Sequence, residues 1–171
     1  FTSEGPQAAK KLLLARRLIE AGVRVVNVSL SDFDTHSKNF PRMKQLVPIF
    51  DHAIAALIKD LEERGLINDV TVLAWGEFGR TPKVNSNGGR DHWPKVAMAM
   101  MAGGGMNTGQ VIGSTDRYAS EAIERPVSYQ DVIATLYHNI GIDPSSTTVE
   151  DSTGRPQYLL KNGLPIKELI S

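Results

Sequence analysis

Two polar stretches of the chain, DFDTHSKNF (residues 32–40) and GEFGRTPKVNSNGGRDHWP (residues 76–94), carry carboxylates and imidazoles suited to metal chemistry. The candidate ligands are Asp34, His36, Glu77, Asp91 and His92. Such oxygen and nitrogen donors bind divalent ions, Zn²⁺ or Mn²⁺ and also Ca²⁺. The chain has no cysteine, so a metal site must be built from these atoms. Five ligands could hold two ions, the arrangement that clamps the attacking and leaving oxygens in phosphoryl or sulfuryl transfer.

The second stretch also carries two arginines that suit catalysis on an anionic ester. Arg80 and Arg90 can make bidentate contacts with a tetrahedral oxyanion, and Lys83 and Lys95 could assist as point charges. Each residue taken alone has a simpler interpretation, because a charged side chain in a polar loop is often just solvated or weakly paired. Residues 77–94 are therefore either a surface turn or the rim of a site, and the pattern alone leaves both open.

The elements that must position these residues are predicted from the spacing of apolar side chains. Helical spacing predicts helices over residues 6–21, 41–65 and 128–141, the last with Ser128 as N-cap and Gly141 as its end. The β-branched and apolar runs over residues 23–30, 69–76 and 96–105 predict buried strands.

Alternating helices and strands predict an α/β fold with a mostly parallel sheet and helices on both faces. Sites in such sheets form beyond the carboxyl ends of the strands. SDFDTHS follows the first predicted strand, and EFGRTP follows the second and runs on to RDHWP. This placement favours a site rim over a surface turn.

Composition narrows the classes of function. Of the 171 residues, 41% are hydrophobic and 22% are charged, as in an ordinary globular domain, and the 19 basic residues balance the 19 acidic ones. A balanced charge does not indicate nucleic-acid binding. No apolar run approaches the roughly 20 residues of a membrane-spanning helix, so we expect no membrane span. The absence of cysteine leaves the cellular compartment open.

The segments DFDTHSKNF, AWGEFGRTPKVNSNGGRDHWP and VSYQDVIATLYHNIGIDP together resemble DUF1501, a family of unknown function that is abundant in planctomycetes. That family in turn resembles the alkaline phosphatase and sulfatase superfamily. The resemblance covers about residues 5–170. It implies a single domain over residues 1–171 that is the C-terminal portion of a larger alkaline-phosphatase-like domain. Family members commonly carry a twin-arginine export signal, which implies a periplasmic or cell-envelope location.

The superfamily holds two metal ions with ligand motifs that can be compared with this chain position by position. Asp34 and His36 match its first Asp and His, although two positions apart where phosphatases use four. Glu77 takes the place of the Asp in its Asp-His pair, and Phe78 replaces the His. His92, preceded by Asp91, matches its final His. The resemblance therefore implies a metal site with one ligand fewer.

In the superfamily, the nucleophile and its companion Asp lie upstream of the matching region, so we expect them in a missing N-terminal part of the fold. The leading hypothesis is a metal-dependent hydrolase of small phosphate or sulfate esters that is incomplete without that segment. The alternative is a non-catalytic, exported binding or scaffold domain that keeps the fold. A third, weaker hypothesis is an α/β interaction module with a charged surface loop.

Overall fold

The computed structural model describes residues 4–170 and divides them into two compact units. The first unit comprises the residues up to Leu66 together with Gly76–Met98, and the second comprises Ile67–Trp75 together with the residues from Ala99 onward. All five candidate metal ligands and both candidate arginines belong to the first unit. Among residues 4–170, no helix combines the length and the apolar character needed to cross a bilayer.

Two packed helices form the body of the first unit. Helix α1 spans Glu4–Glu20 and helix α2 spans Asn39–Glu63, close to the predicted bounds. Pro48 lies inside α2 without ending it. The apolar side chains buried in these helices are Ala8, Leu12, Leu46, Ala53 and Leu61. Their helical spacing explains why both helices could be predicted from the sequence.

A charged network ties α1 to α2 beside these apolar residues. Arg16 is only 7% exposed, and its Nε donates to Asp60 Oδ2 at 2.7 Å. Arg16 also pairs with Glu20. Arg64 donates to Asp60 Oδ1 at 2.9 Å and to Glu20 Oε1 at 3.0 Å. A guanidinium this deeply buried needs such partners, because an unpaired buried charge is strongly destabilising.

A short hairpin completes the first unit. Strand β2 (Gly79–Arg80) pairs antiparallel with strand β3 (His92–Trp93), so that Arg80 lies opposite His92. A Cβ added at Gly79 would lie 1.7 Å from the carbonyl oxygen of Val96, so only glycine fits at this position.

The second unit is built around a two-stranded antiparallel sheet and one helix. Strand β1 (Thr71–Trp75) pairs with strand β4 (Ala99–Gly103), with Thr71 opposite Gly103. Helix α3 (Tyr129–Asn139) begins with a capping box between Ser128 and Asp131, as the sequence indicated for Ser128. The apolar cluster of this unit contains Val132, Ile166, Leu169, Leu73, Met101, Met106, Ile112 and Val127.

Two small hairpins and a docked terminal segment complete the second unit. Strand β5 (Ser114–Thr115) pairs with β6 (Ala122–Glu124), and β7 (Thr148–Glu150) pairs with β8 (Pro156–Tyr158). The terminal segment is held on α3 by hydrogen bonds from Ile166 N to Thr135 Oγ1 (2.9 Å) and from Leu164 N to Asp131 Oδ1 (3.0 Å). It is also held by Arg125, which donates to both carboxylate oxygens of Glu168 at 2.7 Å.

The prediction of a mostly parallel α/β sheet is wrong. Residues 4–170 contain three helices and four two-stranded sheets, and every strand pair is antiparallel. Parallel neighbours need a crossover connection, usually a helix. The connection from β1 to β4, Gly76–Met98, contains the β2–β3 hairpin and no helix in the described structure. The chain therefore returns in the opposite direction.

The strand predicted over residues 23–30 is also wrong. No strand is formed there, and Val25 is 80% exposed. Val26, Val28 and Leu30 are half-buried while their neighbours are exposed. The side chains therefore alternate in burial as in a strand, but the backbone forms no hydrogen-bonded pairing with another strand among residues 4–170. Strand propensity describes a side chain that suits a pleated surface, but the neighbouring strand must come from tertiary structure.

Candidate metal centre

Backbone hydrogen bonds join the two polar stretches to each other. Arg90 N donates to Thr35 O at 2.9 Å, and Lys38 N donates to Asn87 O at 3.1 Å. Gly89 permits this approach, because a Cβ there would lie 2.0 Å from the carbonyl carbon and oxygen of His36. The glycine pair that precedes Arg90 therefore lets the loop that follows β2 pack directly on residues 35–38, which precede α2.

Asn85, which is not among the candidate residues predicted from the sequence, joins the turns of the second stretch. Its Oδ1 accepts hydrogen bonds from Asn87 N (3.0 Å) and Gly89 N (2.9 Å). Its Nδ2 donates to His36 O at 3.0 Å and to both carboxylate oxygens of Asp91 at 3.2 Å. An asparagine shortly before a Gly-Gly pair is a turn signal that could have identified it.

Asp34, His36 and His92 bring one ligand atom each to a common point. The Nε2 atoms of His36 and His92 are 3.1 Å apart. Asp34 Oδ1 lies 3.0 Å from the first and 3.1 Å from the second. The ligands of a tetrahedral zinc ion, with bonds of roughly 2.0–2.1 Å, stand about 3.3 Å apart. The three atoms are therefore close to the spacing that one small ion imposes.

Asp91 contacts the other nitrogen of His36 and not the common point. His36 Nδ1 and Asp91 Oδ1 are 2.7 Å apart. An ionised carboxylate only accepts, so Nδ1 donates its proton to Asp91, and Nε2 is the nitrogen of His36 that would be left to bind a metal ion. The hydrogen bond from His36, followed by those from Asn85, lowers the pKa of Asp91. Carboxylates in this position orient metal-binding histidines and raise their basicity.

Arg80 compensates the charge of Asp34. Its Nη1 donates to Asp34 Oδ1, the same oxygen that faces both histidines. This hydrogen bond, followed by the one from His92, holds the pKa of Asp34 below its ordinary value. The carboxylate is thus ionised over the range in which neutral histidines can bind a metal.

Glu77 and Phe78 lie beside the cluster without adding a ligand atom to it. Glu77 is 64% exposed, and its Oε1 lies 3.5 Å from Arg80 Nη2. The ring of Phe78 packs on the imidazole of His92 with 4.3 Å between centroids, and the Arg80 guanidinium lies 5.5 Å from the Phe78 ring centre. Phe78 therefore supports His92 and Arg80 by contact.

Arg90 contacts its own loop and the ring of Phe40. Its Nη1 donates to the carbonyl oxygens of Thr81 (2.6 Å) and Pro82 (2.7 Å), and its guanidinium lies 5.8 Å from the centre of the Phe40 ring. These contacts stabilise the loop. Lys95 lies over the ring of Trp93 at 5.8 Å. Of the two arginines predicted to contact substrate, the structure brings only Arg80 to the candidate ligands.

A family model described as "Protein of unknown function (DUF1501)" matches residues 2–170. The chain belongs to the DUF1501 family. No curated protein and no solved structure matches the chain. Two of the three segments that resemble DUF1501 build the cluster, since DFDTHSKNF supplies Asp34 and His36 and AWGEFGRTPKVNSNGGRDHWP supplies His92.

Proposed function

We propose that this DUF1501 chain binds one divalent ion through Asp34, His36 and His92 and is part of a hydrolase of small phosphate or sulfate esters, whose nucleophile the superfamily resemblance places upstream of the matching region. The observation that carries the proposal is the meeting of three ligand atoms at 3.0–3.1 Å, with a carboxylate on the far nitrogen of His36. Two imidazole nitrogens and one carboxylate oxygen favour Zn²⁺ or Mn²⁺ over Ca²⁺, which prefers oxygen ligands throughout. Three protein ligands also leave a position for substrate.

The residues around the cluster suit an anionic ester. A bound ion would supply Lewis-acid polarisation of the ester and stabilise the leaving oxygen. Asp91 holds His36 in the tautomer that binds through Nε2. Arg80 is the arginine nearest to an oxyanion at this point, and its five donors allow it to contact substrate while it keeps Asp34 ionised. These roles rest on the chemistry of the donor atoms. Glu77 could become a further ligand of the metal ion only if its carboxylate left Arg80.

A relationship to alkaline phosphatases and sulfatases is part of the same proposal. It rests on the ligand motifs around Asp34, Glu77 and His92 and not on a parallel sheet, which the structure lacks among residues 4–170. The export of the chain to the periplasm or cell envelope belongs to the proposal in the same way. The alternative function is an exported, non-catalytic binding or scaffold domain. Phe78 favours that alternative, because an aromatic ring stands on His92 where the resemblance would place a second histidine ligand.

The first test measures metal content by inductively coupled plasma mass spectrometry after reloading the purified chain with Zn²⁺ or Mn²⁺. We expect close to one ion per chain, and loss of the ion in His36→Ala and His92→Ala. His52→Ala is the matched control, because His52 is an exposed residue of α2 outside the cluster. Metal content that stays at background in the wild type, or that survives both cluster substitutions, contradicts the proposed site.

The second test separates the hydrolase from the binding domain. The metal-loaded protein, produced together with the upstream segment in which the nucleophile is expected, is assayed with 4-nitrophenyl phosphate and 4-nitrophenyl sulfate. Hydrolysis is supported if the wild type and His52→Ala release nitrophenol and His92→Ala does not. Stoichiometric metal without release of nitrophenol from either ester refutes the hydrolase and leaves the non-catalytic alternative.

A further inference from the structure

A cleft of about 530 Å³ opens beside the cluster, between Asp34 and His36 on one side and the first turns of α2 on the other. The residues that line it are Asp32, Asp34, Thr35, His36, Ser37, Lys38, Pro41, Arg42 and Gln45. Only Pro41 among them is apolar. A substrate bound at the cluster would extend into a polar and charged space.

The charged side chains of this cleft are paired, with one exception. Arg42 pairs with Asp32 and lies 3.5 Å from Gln45 Oε1. Asp34 is paired with Arg80. The ammonium group of Lys38 has no hydrogen-bond or ion-pair partner among residues 4–170, and its side chain is exposed. Lys38 is therefore the cation of the cleft whose charge no carboxylate among residues 4–170 compensates.

The backbone of Lys38 is in a conformation that lysine rarely adopts. Its φ is 49° and its ψ is 39°, in the left-handed region. Glycine or asparagine is usual there, because other side chains crowd the following carbonyl oxygen. Lys38 also occupies the N-cap position of α2 but makes no side-chain cap, which serine, aspartate or asparagine would supply. Neither helix capping nor backbone preference explains a lysine at this position.

The charges of the cleft indicate the charge of its ligand. The charges of Asp32, Asp34, Lys38 and Arg42 sum to zero, so a divalent ion in the cluster leaves the cleft with two positive charges. The first turn of α2 contains no acidic residue, so the positive end of the helix dipole adds to this field. A dianion balances the cleft better than a monoanion does.

We propose that Lys38 binds the non-bridging oxygens of a dianionic phosphate monoester in this cleft, and that singly charged sulfate esters bind more weakly. This inference rests on the proposed function, because it places the substrate of the same site. It assigns the anion contact to Lys38 and not to Arg90, because Arg90 contacts Thr81 and Pro82.

The test uses phenylphosphonate and benzenesulfonate, two ligands of similar shape that the chain cannot hydrolyse. At about pH 8.5 the phosphonate is a dianion, as a phosphate monoester is, and the sulfonate is a monoanion. Isothermal titration is performed on the zinc-loaded and on the metal-free chain. We expect the loaded wild type to bind the phosphonate more tightly. Lys38→Gly should weaken this binding about tenfold, the effect of losing one charged hydrogen bond.

Measurements of stability and metal content, together with a control variant, distinguish a folding defect from a binding defect. Lys38→Gly should leave the melting temperature unchanged or raise it, because glycine accepts the positive φ, and it should leave the metal content unchanged. Lys44→Gln removes a positive charge from an exposed position on the same helix and should bind the phosphonate as the wild type does. A structural role for Lys38 would change stability and not affinity.

Several outcomes overturn the inference. Equal phosphonate affinity for Lys38→Gly and the wild type removes Lys38 from the site, whereas equal affinity for phosphonate and sulfonate refutes the preference for a dianion. A loaded chain that binds neither ligand refutes the cleft as a substrate site. Failure of the wild type to bind zinc contradicts the proposed function instead. In that case the phosphonate affinities of the metal-free wild type and the metal-free Lys38→Gly variant are compared. Equal affinities, or no binding by the wild type, overturn the role of Lys38.

Discussion

Replacing Asp91 by asparagine distinguishes a metal ligand from a residue that orients one. In the structure Asp91 Oδ1 lies 2.7 Å from Nδ1 of His36, and the three converging ligand atoms belong to other residues. Asp91→Asn keeps the shape and can still accept a hydrogen bond from Nδ1–H, but it removes the negative charge. The introduced amide also brings a donor toward Asn85 Nδ2, which now donates to both carboxylate oxygens at 3.2 Å.

Loss of such an orienting carboxylate weakens metal binding by roughly 10–100-fold. The side chain of Asp91 is 51% exposed, so water screens part of its charge. We therefore expect Asp91→Asn to weaken zinc binding by about tenfold, at the lower end of that range. His36→Ala should abolish stoichiometric binding, because it removes a ligand atom.

The measurement is a competition titration of zinc against a chromophoric chelator. Asp51→Asn is the control, since it removes a carboxylate from an exposed position of α2. It should bind zinc as the wild type does. Zinc affinity in Asp91→Asn equal to that of the wild type would refute the orienting role. A loss as complete as in His36→Ala would show that Asp91 itself binds the ion.

Two further predictions concern the loop and the second unit. Gly89→Ala should lower both the melting temperature and the zinc content, because its Cβ would lie 2.0 Å from the carbonyl of His36, and normal zinc content would refute the packing argument. The hydrogen bond from Arg125 lowers the pKa of Glu168 to about 2, so its contribution to stability is present above its ordinary pKa and is lost as pH falls toward 2. Glu168→Gln should therefore be less stable than the wild type in urea at pH 7, with the difference closing as pH falls toward 2. Glu150→Gln, on an exposed strand, is the control and should have the stability of the wild type at every pH. A difference in stability between Glu168→Gln and the wild type that does not change with pH would refute the role assigned to the lowered pKa of Glu168.

The sequence was a good guide to elements whose stabilising contacts are local. Helices over residues 6–21, 41–65 and 128–141 were predicted, and they are formed as α1, α2 and α3 within a few residues. Ser128 was predicted as an N-cap and is one. Helical spacing and capping depend on residues three or four positions apart, which a sequence displays directly.

Strand pairing was not predictable in the same way. The strands at residues 69–76 and 96–105 are present as β1 and β4, but their antiparallel pairing joins residues such as Thr71 and Gly103 that are far apart in the chain. Residues 23–30 have the composition of a strand and no ladder partner among residues 4–170. Side-chain pattern indicates which face is buried but contains no information on the direction of a neighbour.

The sequence by itself determined the chemical types available to this protein. It brings carboxylates, imidazoles and arginines into two polar stretches, excludes thiolate ligands, and marks membership of the DUF1501 family. Only the tertiary structure decided how these groups divide their roles. Asp34 and His36 meet His92 from a second stretch more than 50 positions later, and at such separations contacts depend on how the loops fold together. The same folding places Asp91 beside Nδ1 of His36 and turns Arg90 toward carbonyl oxygens. It also leaves the ammonium group of Lys38 in a cleft without a partner among residues 4–170, which no spacing of residue types could have indicated.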